Sequence, residues 1–139
     1  RAKDVQFRDN GRKMVFALDI APAYPEQAKC EKWLRTYTFD RGHGLTVADD
    51  YRVKAVEGDF VFHYLTCCAV NEVKPGVVEF TDEGRKITMS YDSKALEFSQ
   101  EDKIMDDRRL QRVWDDKLVR VSLKIKNPQV QGKTAVKFR

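Results

Sequence analysis

Histidine and cysteine are scarce in this sequence, and each shortage narrows the chemistry that the chain can support. It has two histidines and three cysteines, with no pair at a zinc-binding spacing such as CxxC, so we expect no metal site. Three cysteines cannot all pair, and a disulfide between the adjacent Cys67 and Cys68 would be strained. Two alternatives stay open: a disulfide from Cys30 to one of them, or a doublet that acts as small apolar residues within FVFHYLTCCAV.

Long hydrophobic runs are absent as well. No apolar stretch approaches the roughly 20 residues that a membrane helix needs, so we expect no membrane partner. The sequence shows no targeting signal, and it begins with Arg1 rather than Met. These features suggest an excised or processed piece of a longer protein.

Charge is plentiful, but neither sign dominates. The chain has 26 Lys and Arg against 22 Asp and Glu, a net charge of +4, and the two signs are interleaved. This pattern is typical of a solvated surface. We expect no nucleic-acid partner and no cofactor. The last third is more basic and could contact a polyanion; its cations are Lys117, Arg120, Lys124, Lys126, Lys133, Lys137 and Arg139.

Alternating apolar and polar residues predict strands along almost the whole chain. Met14, Phe16 and Leu18 alternate with polar or small residues, as on a strand with one buried face. Asn10-Gly11 before them favours a type I′ hairpin turn. The predicted strands are Asp4–Arg8, Lys13–Ile20, Cys30–Asp40, Leu45–Val56, Phe60–Val70, Val77–Thr81, Arg85–Tyr91, Lys94–Gln100, Leu118–Lys126 and Thr134–Arg139.

Two segments interrupt this pattern. Ala21–Glu26 contains two prolines and predicts a loop with one helical turn. Ser99–Trp114 is polar and predicts a long connection, with a helical turn around Asp106–Arg112. The fold class that follows is all-β: an antiparallel β-sandwich of about ten short strands, in a single domain over residues 1–139. The predicted core includes Phe16, Leu18, Val47, Phe60, Phe62, Ile87, Met89, Val121, Leu123 and Ile125.

The two histidines have different predicted environments. His43 lies between two glycines in RTYTFDRGHGLTVADDY, which predicts an exposed hairpin tip rather than a catalytic base. A general base needs a partner that orients it, and no triad-like set is evident in the sequence. His63 falls on an apolar strand face, where a semi-buried histidine is expected.

Four motifs together resemble the C-terminal β-domain of the heparinase II/III-like polysaccharide lyases. They are DIAPAYP (Asp19–Pro25), WLRTYTFDRGHGLTVADDYRV (Trp33–Val53), FVFHYLTC (Phe60–Cys67) and RLQRVWDDKLVRVSL (Arg109–Leu123). Each motif alone is a weak signal. Their order and spacing extend the resemblance over nearly the whole chain.

The resemblance implies a parent protein in which a helical toroid joins β-sandwich layers. Such enzymes cleave uronic-acid-containing polysaccharides by β-elimination, and the resemblance implies a periplasmic or secreted location. In that family the catalytic Tyr, His and Asn lie upstream of the segment corresponding to DIAPAYP. No catalytic residue is therefore assigned to this chain, and His43, Tyr37 and Tyr51 receive no such role.

Three hypotheses follow. The chain is a non-catalytic lyase domain packed against upstream domains, or an independent carbohydrate-binding module with exposed aromatics such as Trp33, Trp114 or Tyr24. The third is a self-contained lyase that uses His43 with a tyrosine. We favour the first, with weak electrostatic binding of acidic polysaccharide; the candidate substrate-binding residues are Arg120, Lys124, Lys137 and Trp114.

Overall fold

The computed structural model describes residues 1–114 and 116–139. Asp115, which falls within the motif RLQRVWDDKLVRVSL, lies outside the described residues. The fold is all-β with antiparallel strands in a sandwich arrangement, which confirms the predicted class. The strands are β1 (Lys3–Asp9), β2 (Lys13–Asp19), β3 (Cys30–Asp40), β4 (Gly44–Val53), β5 (Val61–Thr66), β6 (Ala69–Lys74), β7 (Val77–Asp82), β8 (Arg85–Tyr91), β9 (Leu96–Ile104), β10 (Lys117–Ile125) and β11 (Gln131–Phe138).

In residues 1–114 and 116–139, helical structure is confined to short segments. Two 3₁₀ turns, Ala21–Ala23 and Glu26–Ala28, occupy the predicted proline-rich loop. One α-helix, α1 (Arg108–Trp114), begins after Asp107, whose carboxylate accepts a hydrogen bond from the Arg109 amide at 2.8 Å. Within the described residues, no helix is long and apolar enough to cross a bilayer.

The first of two compact units comprises Arg1–Gly58 and Asn127–Arg139. Its strands are hydrogen-bonded in the order β1-β2-β3-β4-β11. The β3–β4 hairpin turns at Arg41–His43, and Gly44 follows with φ +113°. A Cβ at Gly44 would lie 2.0 Å from the Phe138 carbonyl oxygen, so only glycine lets β11 approach this closely.

The second unit, Asp59–Lys126, contains two three-stranded arrays, β8-β7-β6 and β5-β10-β9. Each array buries one face. On β10, Val121 and Leu123 are fully buried while Arg120 and Lys124 point to the other side, as the alternation predicts. Val78 and Met89 are opposite each other on β7 and β8 and are also fully buried. The prediction of one domain over residues 1–139 stays a prediction.

Most predicted core residues are inside, but two are not. Val47, Phe62, Met89, Val121, Leu123 and Ile125 are buried, and Leu18 and Phe60 are half-buried. Phe16 is 36% exposed and Ile87 is 51% exposed, so placing them in the core was wrong. Alternation identifies residues that share a strand face. It does not show whether anything covers that face.

Three local predictions also differ from the structure. The predicted strand Phe60–Val70 is two strands, because the chain turns at Cys67-Cys68. Cys67 is exposed there rather than acting as a buried apolar residue, and all three cysteines are free. The Asn10-Gly11 turn is a three-residue loop rather than a type I′ turn, because φ is positive at Gly11 but not at Asn10. Asn10 Oδ1 accepts hydrogen bonds from the two backbone amides that follow Gly11.

The polar segment Ser99–Trp114 is mostly regular structure rather than a long connection. β9 continues to Ile104 and pairs with β10 along its whole length. Its polar residues suit a strand because they pair with basic residues across the ladder: Asp102 binds Lys117 at 2.6 Å, and Glu101 binds Arg120. The predicted helical turn is present as α1.

Candidate functional site

One face of the first-unit sheet carries small side chains in its middle and charged ones at both ends of its strands. We call it the polar face. Its central cross-strand rows are Ala17, Thr36, Ala48 and Ala135, and then Val15, Thr38, Thr46 and Lys137. Because directly paired residues project to the same side of a sheet, these rows form a floor with few long side chains.

A cleft of about 340 Å³ lies at one end of this floor. We call it the Lys32 cleft. Lys32 Nζ binds Asp50 Oδ2 at 3.0 Å, and Lys133 Nζ lies 3.6 Å from the same oxygen. The hydrogen bond from Lys32 holds the pKa of Asp50 below its usual value. The cleft is lined by Lys32, Asp50, Tyr51, Arg52, Gln131, Gly132 and Lys133.

A second cleft of about 140 Å³, the His43 cleft, lies at the other end of the same strands. Asp40 has Lys13 at 3.4 Å and His43 at 3.4 Å. Partial burial opposes ionisation of Asp40, but the hydrogen bond and charge of Lys13 prevail and hold its pKa below the usual value. The cleft is lined by Lys13, Thr38, Asp40, His43, Gly44, Leu45, Thr46, Lys137, Phe138 and Arg139.

A buried polar cluster on the other side of the sheet fixes β3 against β4. Asp49, 3% exposed, accepts hydrogen bonds from Trp33 Nε1 at 2.7 Å and from Arg35 Nε at 2.8 Å. Trp33 is buried and stacks on Tyr51 with ring centroids 5.2 Å apart, while Tyr24 covers Trp33 at 5.7 Å. Trp33 is therefore a packing residue, not an exposed platform for sugar rings.

The remainder of that side, which we call the aromatic face, is only partly covered. Phe7, Phe16 and Tyr37 are paired across β1, β2 and β3, and Met14 pairs with Phe39 in the next row. Phe7 is 60% exposed and Phe39 is 41% exposed. Adjacent exposed aromatic residues of this kind are typical of a surface that another protein element contacts.

The four predicted substrate-binding residues have different local environments. Arg120 binds Glu101, and Lys124 binds Asp59 at 2.8 Å, so acidic partners already offset both cations. Trp114 ends α1 and is 45% exposed. Lys137 lines the His43 cleft in the first unit, whereas the other three belong to the second unit.

Neither histidine belongs to a catalytic set in the structure. His43 is exposed in the β3–β4 turn, as predicted, with Nδ1 3.2 Å from the Arg41 carbonyl oxygen. His63 is exposed and lies 2.9 Å from Ser122 Oγ, so the prediction of a semi-buried environment was wrong. Among residues 1–114 and 116–139, no group of three or more His, Cys, Asp or Glu side chains could hold a metal ion.

The Lys32 cleft was missed from the sequence. The sequence did carry one usable signal, since Lys133 and Lys137 are four residues apart and therefore share a face of any strand containing both. The predicted strand began at Thr134 and left Lys133 out. The pairing of β11 with β4, which joins Lys133 to Asp50, connects distant segments of the chain.

Comparison with solved structures identifies proteins of the same fold. A heparan sulfate lyase, HepC, from Pedobacter heparinus superposes with a TM-score of 0.72 and 14% identity over 99% of this chain. A heparinase III, the BT4657 gene product, superposes with a TM-score of 0.71 and 12% identity over the same share. This chain has the fold of a segment of these enzymes. The predicted resemblance to heparinases is confirmed at the level of the fold.

The match covers only part of the length of these enzymes. The chain spans about a fifth of these enzymes, 21% of each. No protein-family model matches the sequence. No curated protein sequence matches it either.

Proposed function

We propose that the chain is the non-catalytic C-terminal β-sandwich domain of a polysaccharide lyase. In this proposal it packs against an upstream catalytic domain that cleaves uronic-acid-containing polysaccharide by β-elimination, in the periplasm or outside the cell. The observation that carries the proposal is the match of 99% of this chain to 21% of a heparan sulfate lyase. A segment that small, with no catalytic constellation in the part of the chain that the structure describes, suits a supporting role.

The aromatic face supports the packing part of the proposal. Phe7, Phe16 and Phe39 are 60%, 36% and 41% exposed on one side of a single sheet. Complete burial of a fully exposed side chain of this kind is worth roughly 1.5–3 kcal/mol, so a neighbouring domain that covers the parts still exposed would gain a share of that stability. The four fifths of a HepC-like chain that lie outside the matched segment could supply that domain.

The two competing hypotheses have less support. A carbohydrate-binding module needs several exposed aromatic rings side by side. Of the three candidates, Trp33 is buried and Tyr24 packs on it with a 30° tilt, so Trp114, 45% exposed on α1, is left without a described aromatic neighbour among them. A self-contained lyase needs an oriented base. His43 Nδ1 faces a backbone carbonyl oxygen and Asp40, with no tyrosine among the residues that line its cleft.

The packing proposal can be tested with one pair of substitutions in two contexts. Phe7→Gln with Phe39→Gln should change the thermal unfolding midpoint of the 139-residue chain little, because these side chains are 60% and 41% exposed there. In the natural full-length protein the same pair should lower the midpoint by several degrees and expose the domain boundary to proteolysis, because an apolar contact is lost.

Ile87→Gln is the matched control. Ile87 is 51% exposed in the second unit and does not belong to the aromatic face. Ile87→Gln should change the thermal unfolding midpoint by the same amount in the 139-residue chain and in the full-length protein. A full-length protein that tolerates the double substitution as well as the control does would contradict packing through the aromatic face.

A further inference from the structure

We propose that the polar face is a binding site for an acidic polysaccharide, whose chain runs from the Lys32 cleft to the His43 cleft. Lys137 and Arg139 would be its main cationic contacts, with Lys133 as a weaker one. The class of ligand rests on the proposed function; the site itself rests on the geometry. Lys133 and Lys137 are four residues apart on one face of β11, a separation of about 13 Å at roughly 3.3 Å per residue. The distance suits an extended ligand rather than one small anion.

The local charge favours an anion at both ends. Lys32, Arg52 and Lys133 line the first cleft against one carboxylate, Asp50. In the second cleft the corresponding cations are Lys13, Lys137 and Arg139, against Asp40. Three cations therefore face one carboxylate in each cleft, although Arg52 also has Glu31 at 3.2 Å.

Lys137 differs from the cations first predicted to bind polysaccharide. Arg120 and Lys124 each have an acidic partner. Lys137 and Arg139 have no ion pair among residues 1–114 and 116–139. A cation whose charge is not offset costs less to bring to a ligand anion, because no existing pair must be broken. Lys133 is only partly offset, because the Asp50 oxygen 3.6 Å from it already binds Lys32 at 3.0 Å. The attraction therefore centres on Lys137 and Arg139, with Lys133 as a weaker contact.

The polar atoms of the face favour a sugar chain over a nucleic acid. Thr36, Thr38 and Thr46 add hydroxyls to the floor. No aromatic side chain lies in the two central rows, and single-stranded nucleic acids depend on such side chains for base stacking.

The charge contribution is tested by titrating the 139-residue chain with a heparin oligosaccharide at low salt. Lys133→Ala with Lys137→Ala should weaken binding by roughly three- to tenfold, as expected for the loss of two exposed ionic contacts. Lys74→Ala with Lys94→Ala removes the same charge from exposed positions of the second unit and should leave the affinity within about twofold. Equal losses in the two double variants would overturn the site, because net charge alone would then explain binding.

The path along β11 is tested without changing the charge. Ala135 is exposed between Lys133 and Lys137 on the same face, so Ala135→Trp should obstruct the ligand and weaken binding at least as much as the double lysine variant. Ala69→Trp, at an exposed position of β6, is the matched control and should bind as the wild type does. Wild-type affinity in Ala135→Trp would overturn the proposed path.

Two further ligands complete the experiment. A neutral glucan should bind at least tenfold more weakly than the heparin oligosaccharide. Single-stranded DNA with the same charge as the heparin oligosaccharide should also bind more weakly than that oligosaccharide. Tighter binding of either would overturn the ligand assignment. Lack of heparin binding by the wild type would overturn the site. The proposed function could still stand in that case, because packing against a catalytic domain is measured separately in the full-length protein.

Discussion

Leu123→Ala should destabilise the 139-residue chain by about 3–4 kcal/mol. Leu123 is fully buried on β10 and pairs with Phe62 on β5 and Phe98 on β9. The substitution removes about three methylene equivalents at roughly 0.8 kcal/mol each, or about 2.4 kcal/mol of transfer free energy. The cavity that remains adds to this loss, and substitutions of this kind cost about 2–5 kcal/mol in total.

Leu65→Ala is the matched control, since it makes the same chemical change on the opposite face of the same array. Leu65 lies opposite Arg120 on β5 and is 63% exposed, so its truncation should cost less than about 0.5 kcal/mol. Urea unfolding measures both values, and an unchanged m-value would show that only stability changed. Equal losses at the two leucines would refute the register assigned to β5 and β10.

Three other predictions concern ionisation and the β3–β4 turn. The hydrogen bond from Arg41 lowers the pKa of Asp9 from 3.8 to about 2. The stability from this pair should be present above pH 3.8 and lost as the pH falls towards 2, and Asp9→Asn should abolish that dependence in denaturation curves. Burial, followed by the hydrogen bond to Glu72, raises the pKa of Tyr91 from 10.0 to about 12. The stability contributed by the protonated Tyr91 should be lost as the pH rises from 10.0 to 12. Glu72→Gln should lower the pKa of Tyr91 in a spectrophotometric titration. Gly44→Ala should cost more than about 1 kcal/mol in urea unfolding, because φ is +113° and the new Cβ would meet a β11 carbonyl oxygen; an alanine variant as stable as wild type would contradict that clash.

Much of the strand pattern could be predicted from the sequence, since alternation directly reflects the geometry of a strand. The predicted bounds of β3 and β8 match the structure. The prediction failed where alternation continues through a turn, as at Cys67-Cys68. It also failed where a strand is polar on both faces, as in the second half of β9, because cross-strand ion pairs there depend on a distant partner strand.

The candidate site was less predictable than the fold. Lys32, Asp50 and Lys133 lie on three strands, and only the pairing of β3 and β11 with β4 brings them together. A single sequence does not specify such long-range pairing. The same limit explains Phe16, whose strand face was correct but whose exposure depends on what covers that face.

The central claim is that this chain supports a lyase without performing its chemistry. The most direct test measures absorbance of the unsaturated uronate product from heparan sulfate, chondroitin sulfate, hyaluronan and alginate, using the 139-residue chain and the natural full-length protein in parallel. We predict turnover of at least one substrate by the full-length protein and none by the 139-residue chain. Turnover by the short chain that disappears in His43→Ala would contradict the account and establish a self-contained lyase.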